Sequence, residues 1–457
     1  MGIKIGKKEY DCRYVLLDII NTNWIWMQAI VQIHRRNTMQ INPLSIDMSI
    51  IPAVIAMQET GIMIDQDHFH TITQEFRDAA DKVQAEIESE YGQRINVRSG
   101  GEDGKLCKML MDMNIYPKKL RTDAETLSKF RKYPIVQKVF EVKEYEHLIS
   151  QFCNKLPKMA DENNRVHTDI LITRTATGRL ASKNPNLQNI STRTANGRMI
   201  RQGFIAKPGC VFVSIDYSGI EMRVVAHLAN DKKMINAFAN GQDLHAMLAA
   251  DMFNLELDEV EPKKHRRPAK DVQFGCLYGI TKHGLYDGFI KNKLTHDDGT
   301  PMFDEDDCQM FINSWFATWP DCGRYMEAVQ HSIKRTGIVK TMYHHQRTIP
   351  HVHSADKRIV EKGVREGGNT PIQGTAAQIM KIAIKQAYDR SLEWKAEGLV
   401  CDTLMQIHDE LLFEMDEHEW GVMAEDIRGV MENVVKLKVD IPCDIEQGLN
   451  WGQMEEL

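Results

Sequence analysis

No stretch of this chain is apolar enough to cross a bilayer unbroken. The most apolar early segment, residues 14–33, carries Asp18, Asn21, Asn23 and Gln28, whereas a spanning helix needs about 20 predominantly apolar residues. The positive, apolar and small-residue order of a secretory leader is also missing. Cysteine is sparse: the nine are odd in number and scattered, with no CxxC pair. That excludes a disulfide framework and points to reduced thiols in a cytoplasmic compartment. A basic excess is lacking too, since 57 Lys and Arg face 64 Asp and Glu for a net charge of −7. The average hides local clusters: Lys263, Lys264, His265, Arg266 and Arg267 with Lys270, and Arg193, Arg198, Arg201 and Lys207. Such runs are commonly solvated faces, but beside strand-end carboxylates they can neutralise phosphates.

What is present is enough for a large packed protein. At 457 residues and 42% hydrophobic, the chain exceeds one ordinary core and predicts two to four subdomains. Its organising stretch is residues 210–223, CVFVSIDYSGIEMR. Val211, Phe212, Val213 and Ile215 predict a buried strand that ends at Asp216. After Gly219, the apolar residues Ile220, Met222, Val224, Val225 and Leu228 shift to helical spacing. Asp216 is therefore either a helix cap or a functional carboxylate. A second stretch weighs on that choice: residues 403–407 read as a strand, His408, Asp409 and Glu410 as a break, and Leu411, Leu412 and Phe413 as a returning strand. The pattern predicts a hairpin presenting Asp409 at its tip. Two aspartates at sheet ends, far apart in sequence, supply the hard, rigid oxygen ligands that a pair of Mg²⁺ ions requires, with positions left open for phosphates.

DYSGIEMR and IHDE resemble the first and last catalytic motifs of family A DNA polymerases, the group that contains the bacterial repair polymerase and many phage replicases. Between them, RRPAKDVQFGCLYG over residues 266–279 resembles the family's nucleotide-binding finger helix. The likeness runs from about Ser45 to the C-terminus. It implies an α+β right-hand fold, with an antiparallel-sheet palm, a helical thumb and helical fingers. Residues 1–44 would be an N-terminal remnant or adaptor, 45–75 the entrance to the palm, 76–155 the thumb, 156–230 palm with the first motif, 231–349 fingers and 350–457 palm with the last motif. Residues 10–33 read as one amphipathic helix. Tyr14 stands four residues after Tyr10, at the spacing where a proofreading exonuclease has its aspartate, so the chain is expected not to proofread.

The resemblance also implies roles. Asp216, Asp409 and the Tyr217 carbonyl would hold two Mg²⁺ ions, with Glu410 in support. Arg266 and Lys270 would face the triphosphate with His245, while Phe274 meets the sugar and Tyr278 the templating position. On the helix expected through residues 266–278, these four fall at i, i+4, i+8 and i+12, on one face. Glu221 would occupy the place of a ribose 2′-hydroxyl. Arg179, Gln188, Asn189, Arg365, Asn369, Gln373 and His408 would contact primer and template, Arg179 in the minor groove, where hydrogen-bond acceptors recur on every correct pair. Arg365, Asn369 and Gln373 are again spaced i, i+4, i+8. Two departures stand out: Gly219 where relatives have glutamine, and TMYHHQRTIP at residues 341–350 in place of a Gly-Arg-Arg pattern. The implied function is template-directed DNA synthesis from dNTPs on primer-template DNA, with a separate exonuclease or processivity factor as further partners. The alternatives are a polymerase with altered template or sugar preference and a catalytically idle primer-template-binding subunit.

Overall fold

The structure, a computed structural model, describes residues 42–457 apart from 93, 95, 98–100, 102, 103, 117, 193, 293 and 295–299, together with the backbone of 2–5 and 8–11. Gly2–Ile5 and Lys8–Asp11 pair as an antiparallel hairpin. Tyr10 therefore lies on a strand and does not start a helix. The remainder of the expected N-terminal helix, including Tyr14, lies outside the described residues.

Five antiparallel strands form the central sheet, in the spatial order Cys401–Ile407, Glu410–Asp416, Cys210–Tyr217, Cys443–Gly448, Glu455–Glu456. The two neighbours of Cys210–Tyr217 cover it on both edges, and both of its faces are buried, which is why it reads as a nearly continuous apolar run. Val213 and Ile215, with Leu411 and Phe413, pack one face into the main core. That face meets the helices Ile220–Ala229, Thr370–Ala396 and Trp420–Glu432. Phe212 and Leu412 point the other way, into a second cluster with Phe69, Phe204 and Trp451. The period-2 alternation of a strand thus divides the molecule into two cores.

Gln66–Tyr91, capped by Asp65, pairs with Pro134–Leu148. With Lys105–Asp112 between them, these helices make a thumb with its own core of Ile87, Leu106, Leu110 and Val139. The fingers are Leu244–Phe253, Arg267–Leu277, Lys282–Lys291, Glu305–Thr318 and Pro320–Thr336, packed around Phe289, Phe311, Trp315 and Trp319. An antiparallel palm flanked by a helical thumb and helical fingers is an α+β right hand. A short hairpin forms between Ile338–Lys340 and Gln346–Thr348 and brackets most of the TMYHHQRTIP segment. The Thr341 hydroxyl fastens it to the long palm helix by donating to Gln378 Oε1 at 2.6 Å.

Three helices differ from their sequence patterns, each for a local reason. The apolar stretch after residue 45 is two helices, Pro43–Ser49 and Ile51–Thr60, because Pro52 has no N–H to continue the first. Arg365 and Gln373 lie on separate helices, Lys357–Gly368 and Thr370–Ala396, with Asn369 at the joint; Pro371 removes the donor there. Arg266 belongs to a π-helical turn, Pro262–Arg266, that runs into Arg267–Leu277.

A buried ion pair fastens the short N-terminal helix to the palm. Lys381 is 2% exposed, and its Nζ lies 2.5 Å from Asp47 Oδ1 and 3.2 Å from the Ile172 carbonyl. Removing only the carboxylate strands a buried ammonium, so Asp47→Ala is expected to cost about 3 kcal/mol in urea unfolding. Lys381→Met, which removes the charge and keeps the stem, should cost clearly less. Equal losses would show that burial of the ammonium is not what the pair relieves.

Candidate active site

Asp216 is not a cap. It is the penultimate residue of Cys210–Tyr217, and the cap position of Ile220–Ala229 is Gly219, at φ 62° and ψ 42°. That left-handed turn, unstrained for glycine, carries the chain from strand to helix and leaves the Asp216 carboxylate free. Opposite it, His408 and Asp409 form a two-residue turn between Ile407 and Glu410, with His408 at φ 54°. The Tyr217 N–H donates to the Asp409 carbonyl at 3.1 Å, which pins the turn to the end of the central strand. The Tyr217 hydroxyl donates to the Met431 carbonyl at 2.6 Å and anchors the same strand end from the opposite face.

The register does the rest. Glu410 stands directly across from Asp216 on one side and Asp444 on the other, and residues directly opposite share a face. Glu446, across from Ser214, extends the same acidic edge. Sequence reasoning missed Asp444 and Glu446; the signal was the acid-apolar-acid alternation of Asp444, Ile445 and Glu446. The Asp216 side chain is open to solvent, yet it sits low among surrounding protein. That crowding, followed by the charges of Glu410, Asp409, Asp444 and Glu446, raises its pKa to about 7. Burial also raises Asp409, against the pull of Arg179. Glu410 is raised by burial and partly restored by Ser214, Arg201 and Trp451.

Among the described residues, no three or more His, Cys, Asp or Glu side chains close around a point as an ion cage would. The donors at this edge are nevertheless all hard oxygens of one charge, and burial has raised the proton affinity of Asp216, Asp409 and Glu410. They suit a divalent cation that takes its remaining ligands from elsewhere, as Mg²⁺ does with phosphates.

A second group sits on the fingers. Arg266 Nε lies 2.5 Å from Asp243 Oδ2, and Asp243 caps Leu244–Phe253 by accepting from the N–H groups of His245 at 2.9 Å and Ala246 at 3.2 Å. Burial, with the Arg266 and Lys270 charges, lowers the His245 pKa to about 4 against the opposing pull of Asp243, so the ring is neutral at pH 7. Its centroid is 5.8 Å from that of Phe274. Lys270 is exposed and Phe274 half-buried, one turn apart on the same face of Arg267–Leu277.

Tyr278 leaves this helix, as its C-terminal cap, and joins fingers to palm. Its hydroxyl donates to Glu221 Oε2 at 2.7 Å, while Arg179 Nη2 lies 2.5 Å from Glu221 Oε1 and 3.9 Å from Asp409 Oδ1. Glu221 is 4% exposed, and burial raises its pKa against Arg179 and Tyr278. The two residues expected at the minor groove and the templating position thus clasp one carboxylate in this structure. Gln373 adds a side-chain contact to Tyr278.

The remaining residues divide between solvent and scaffold. Asn189, Arg365 and His408 are exposed, and Asn369 is buried with its Oδ1 unpartnered. Gln188 is engaged within the palm: its Oε1 accepts from Ser182 N–H at 3.0 Å and its Nε2 donates to the Gln406 carbonyl at 2.9 Å. Gln406, which sequence reasoning missed, donates to the His408 carbonyl and so supports the turn that carries Asp409.

The folded-state pKa of Asp216 is raised, so ionising it costs stability. That cost is absent below about pH 4, grows as pH rises and levels off above about pH 7. Discounted for the openness of the side chain, it is on the order of 1 kcal/mol. In EDTA at pH 8, Asp216→Asn should therefore raise the unfolding temperature by roughly 1 °C. The gain should shrink toward pH 4 and on adding Mg²⁺. A lower unfolding temperature for the variant at pH 8 would contradict this electrostatic picture.

Residues 66–453 match the family model for DNA polymerase family A. DNA polymerase I of Caldicellulosiruptor bescii is 31% identical over 456 residues, covering 99% of this chain and 51% of the relative. The thermostable DNA polymerase I of Thermus aquaticus is 33% identical over 417 residues, covering 89% of this chain and 48% of the relative. This chain thus spans about half the length of the curated relatives it matches. Among solved structures, the POL domain of Pol1 from M. smegmatis, in complex with DNA primer-template and dNTP, superposes with a TM-score of 0.77 at 30% identity, covering 89% of this chain and 70% of that one. With a right-hand fold, carboxylates gathered at the end of the palm sheet and a match across most of its length, the chain belongs to the family A DNA polymerases.

Proposed function

We propose that this chain is a DNA-directed DNA polymerase, extending a primer 3′-hydroxyl with dNTPs on a DNA template. The observation that carries the reading is the strand register that sets Asp216 beside the Asp409 turn, at a sheet end otherwise rich in carboxylates. Asp216, Asp409 and the Tyr217 carbonyl are the residues that would hold two Mg²⁺ ions. Such ions, when bound, neutralise charge on the attacking and leaving oxygens of a phosphoryl transfer.

The protein's own groups bind and orient. Arg266 and Lys270 neutralise the triphosphate, the main lever in this chemistry. His245, neutral at pH 7, offers a hydrogen bond without adding a charge. Glu221, buried and held from two sides, lies beneath the sugar and leaves no room for a 2′-hydroxyl. Phe274 covers the deoxyribose with an apolar face. Arg179 and Tyr278 begin on Glu221, so their work on primer and template starts when that clasp opens. The partners of this reading are primer-template DNA and dNTPs.

Asp216→Ala and Asp409→Ala should each lower single-turnover incorporation roughly 100- to 1000-fold or more, with primer-template affinity changed by less than about threefold, since neither contacts the duplex backbone. Near wild-type turnover in either variant would remove the assignment. A catalytically idle binding subunit would show no turnover to lose.

Phe274 generates a sharper test. Phenylalanine offers no hydrogen-bonding atom, so the substrate's own 3′-hydroxyl must supply the polar contact near the phosphates, and dideoxynucleotides should be poor substrates. Phe274→Tyr nearly conserves volume and adds a hydroxyl worth about 1.5–3 kcal/mol to a charged group, or roughly 10- to 150-fold in selectivity. The ratio of kcat/KM for dNTP and ddNTP, measured on one template, should fall by that factor. An unchanged ratio would place Phe274 away from the sugar.

A further inference from the structure

We propose that the hairpin of Ile338–Lys340 and Gln346–Thr348 is a splint across the joint between Lys357–Gly368 and Thr370–Ala396, locked by Arg347, so that Arg365, Asn369 and Gln373 meet primer-template DNA as one edge. Its bearing on DNA rests on the polymerase reading, while the splint itself is carried by hydrogen bonds and packing within this chain. The joint is a weak point. Asn369 separates the two helices, and Pro371 has no N–H to give to a carbonyl one turn back. The last carbonyls of Lys357–Gly368, Glu366 among them, therefore depend on donors from outside the helix.

Arg347 supplies one. Its Nη1 donates to the Glu366 carbonyl at 2.8 Å and to the Thr370 hydroxyl at 3.0 Å. One nitrogen thus holds the last turn of one helix and the first residue of the next. Thr370 is wholly buried, so no water can replace that donor without opening the joint. Asn369, between the two points held, is also buried and has its Oδ1 unpartnered.

The rest of the hairpin grips both sides. Toward Lys357–Gly368, Val339 and the adjoining Ile349 share a small core with Val364, and a Cβ on Gly367 would fall 3.0 Å from Ile349 Cγ1. Toward Thr370–Ala396, the Met342 N–H donates to the Thr375 hydroxyl at 3.0 Å, next to the Thr341 bond to Gln378. A Cβ on Gly374 would fall 2.5 Å from Thr341 Cγ2, so only glycine lets the hairpin approach this closely. The hairpin end is fixed in turn, because the His345 N–H donates to the Thr341 hydroxyl at 3.0 Å. A surface loop would need contact with one helix only. This one is fastened before and after Asn369, and a loosened joint would change the spacing of Arg365 and Gln373.

Two measurements test the splint. The first is the affinity of a labelled primer-template as a function of salt. Arg347→Met should weaken binding roughly tenfold, the worth of a charge-assisted hydrogen bond, without changing the slope of log affinity against log salt. Thr370→Val removes only a buried hydroxyl and should weaken binding about threefold, whereas Thr370→Ser should bind as wild type. Adding Thr370→Val to Arg347→Met should cost nothing further, since both break one contact. Single-turnover rates at saturating primer-template should stay within about twofold of wild type, as when ground and transition states lose the same binding. A slope shallower by about one unit in Arg347→Met would make Arg347 a direct phosphate contact and overturn the proposal. Unchanged affinity in Thr370→Val would overturn it too. The second measurement needs no DNA: hydrogen exchange at residues 369–374 should quicken at least about fivefold in Arg347→Met, with the amides of Cys210–Tyr217 unchanged. Exchange at the wild-type rate would overturn the splint. A wild-type chain that binds primer-template without extending it would overturn the polymerase reading and leave both measurements in force. One that binds no primer-template would also overturn that reading, and hydrogen exchange alone would then decide the splint.

Discussion

The antiparallel pairing of Cys210–Tyr217 with Glu410–Asp416 and Cys443–Gly448 forces like charges together. Backbone hydrogen bonds and two apolar cores fix the register, and that register sets Glu410 and Asp444 on either side of Asp216. Nothing in the carboxylates favours this arrangement; it is imposed by Val213, Ile215, Leu411 and Phe413 on one face and Phe212 and Leu412 on the other. Stability is thereby exchanged for a dense acidic edge, a common relation at functional centres. The cation at this edge, Arg179, reaches Glu221 and Asp409 from outside the sheet, so distant parts of the chain answer one electrostatic demand.

Glu221 has a parallel role between the subdomains. It is on the first helix after Cys210–Tyr217, it is nearly inaccessible, and it accepts from Tyr278 of the fingers and Arg179 of the palm loop. A buried carboxylate with two such partners is stable only while both stay. Any ligand that draws Tyr278 or Arg179 away must also offer Glu221 something in return, and a deoxyribose packed on its side chain is a natural substitute. Asp243 performs a similar double task in the fingers, capping a helix while orienting Arg266.

Much of this was legible from residue order. The strand before Asp216, the helix after Gly219 and the hairpin at Asp409 each carry a strong local period, and the tertiary structure does not override them. Helix continuity was less legible, because Pro52 and Pro371 act through a missing donor that apolar periodicity ignores. Asp444, Glu446 and Gln406 escaped for another reason. Their importance depends on strand register and on contacts between segments far apart in sequence, such as Gln188 with Gln406, which no local pattern encodes. Arg179 and Tyr278 show a third case: the pattern located the residues, while the structure shows them holding each other's partner, Glu221.

The central claim is that this carboxylate edge supports templated DNA synthesis. Its most direct measurement is extension of a labelled primer by the purified chain on templates of differing sequence, with Mg²⁺ and single dNTPs. The account predicts incorporation of only the nucleotide complementary to the template, abolished by EDTA. Tight binding of the primer-template with no extension at any Mg²⁺ concentration would contradict it.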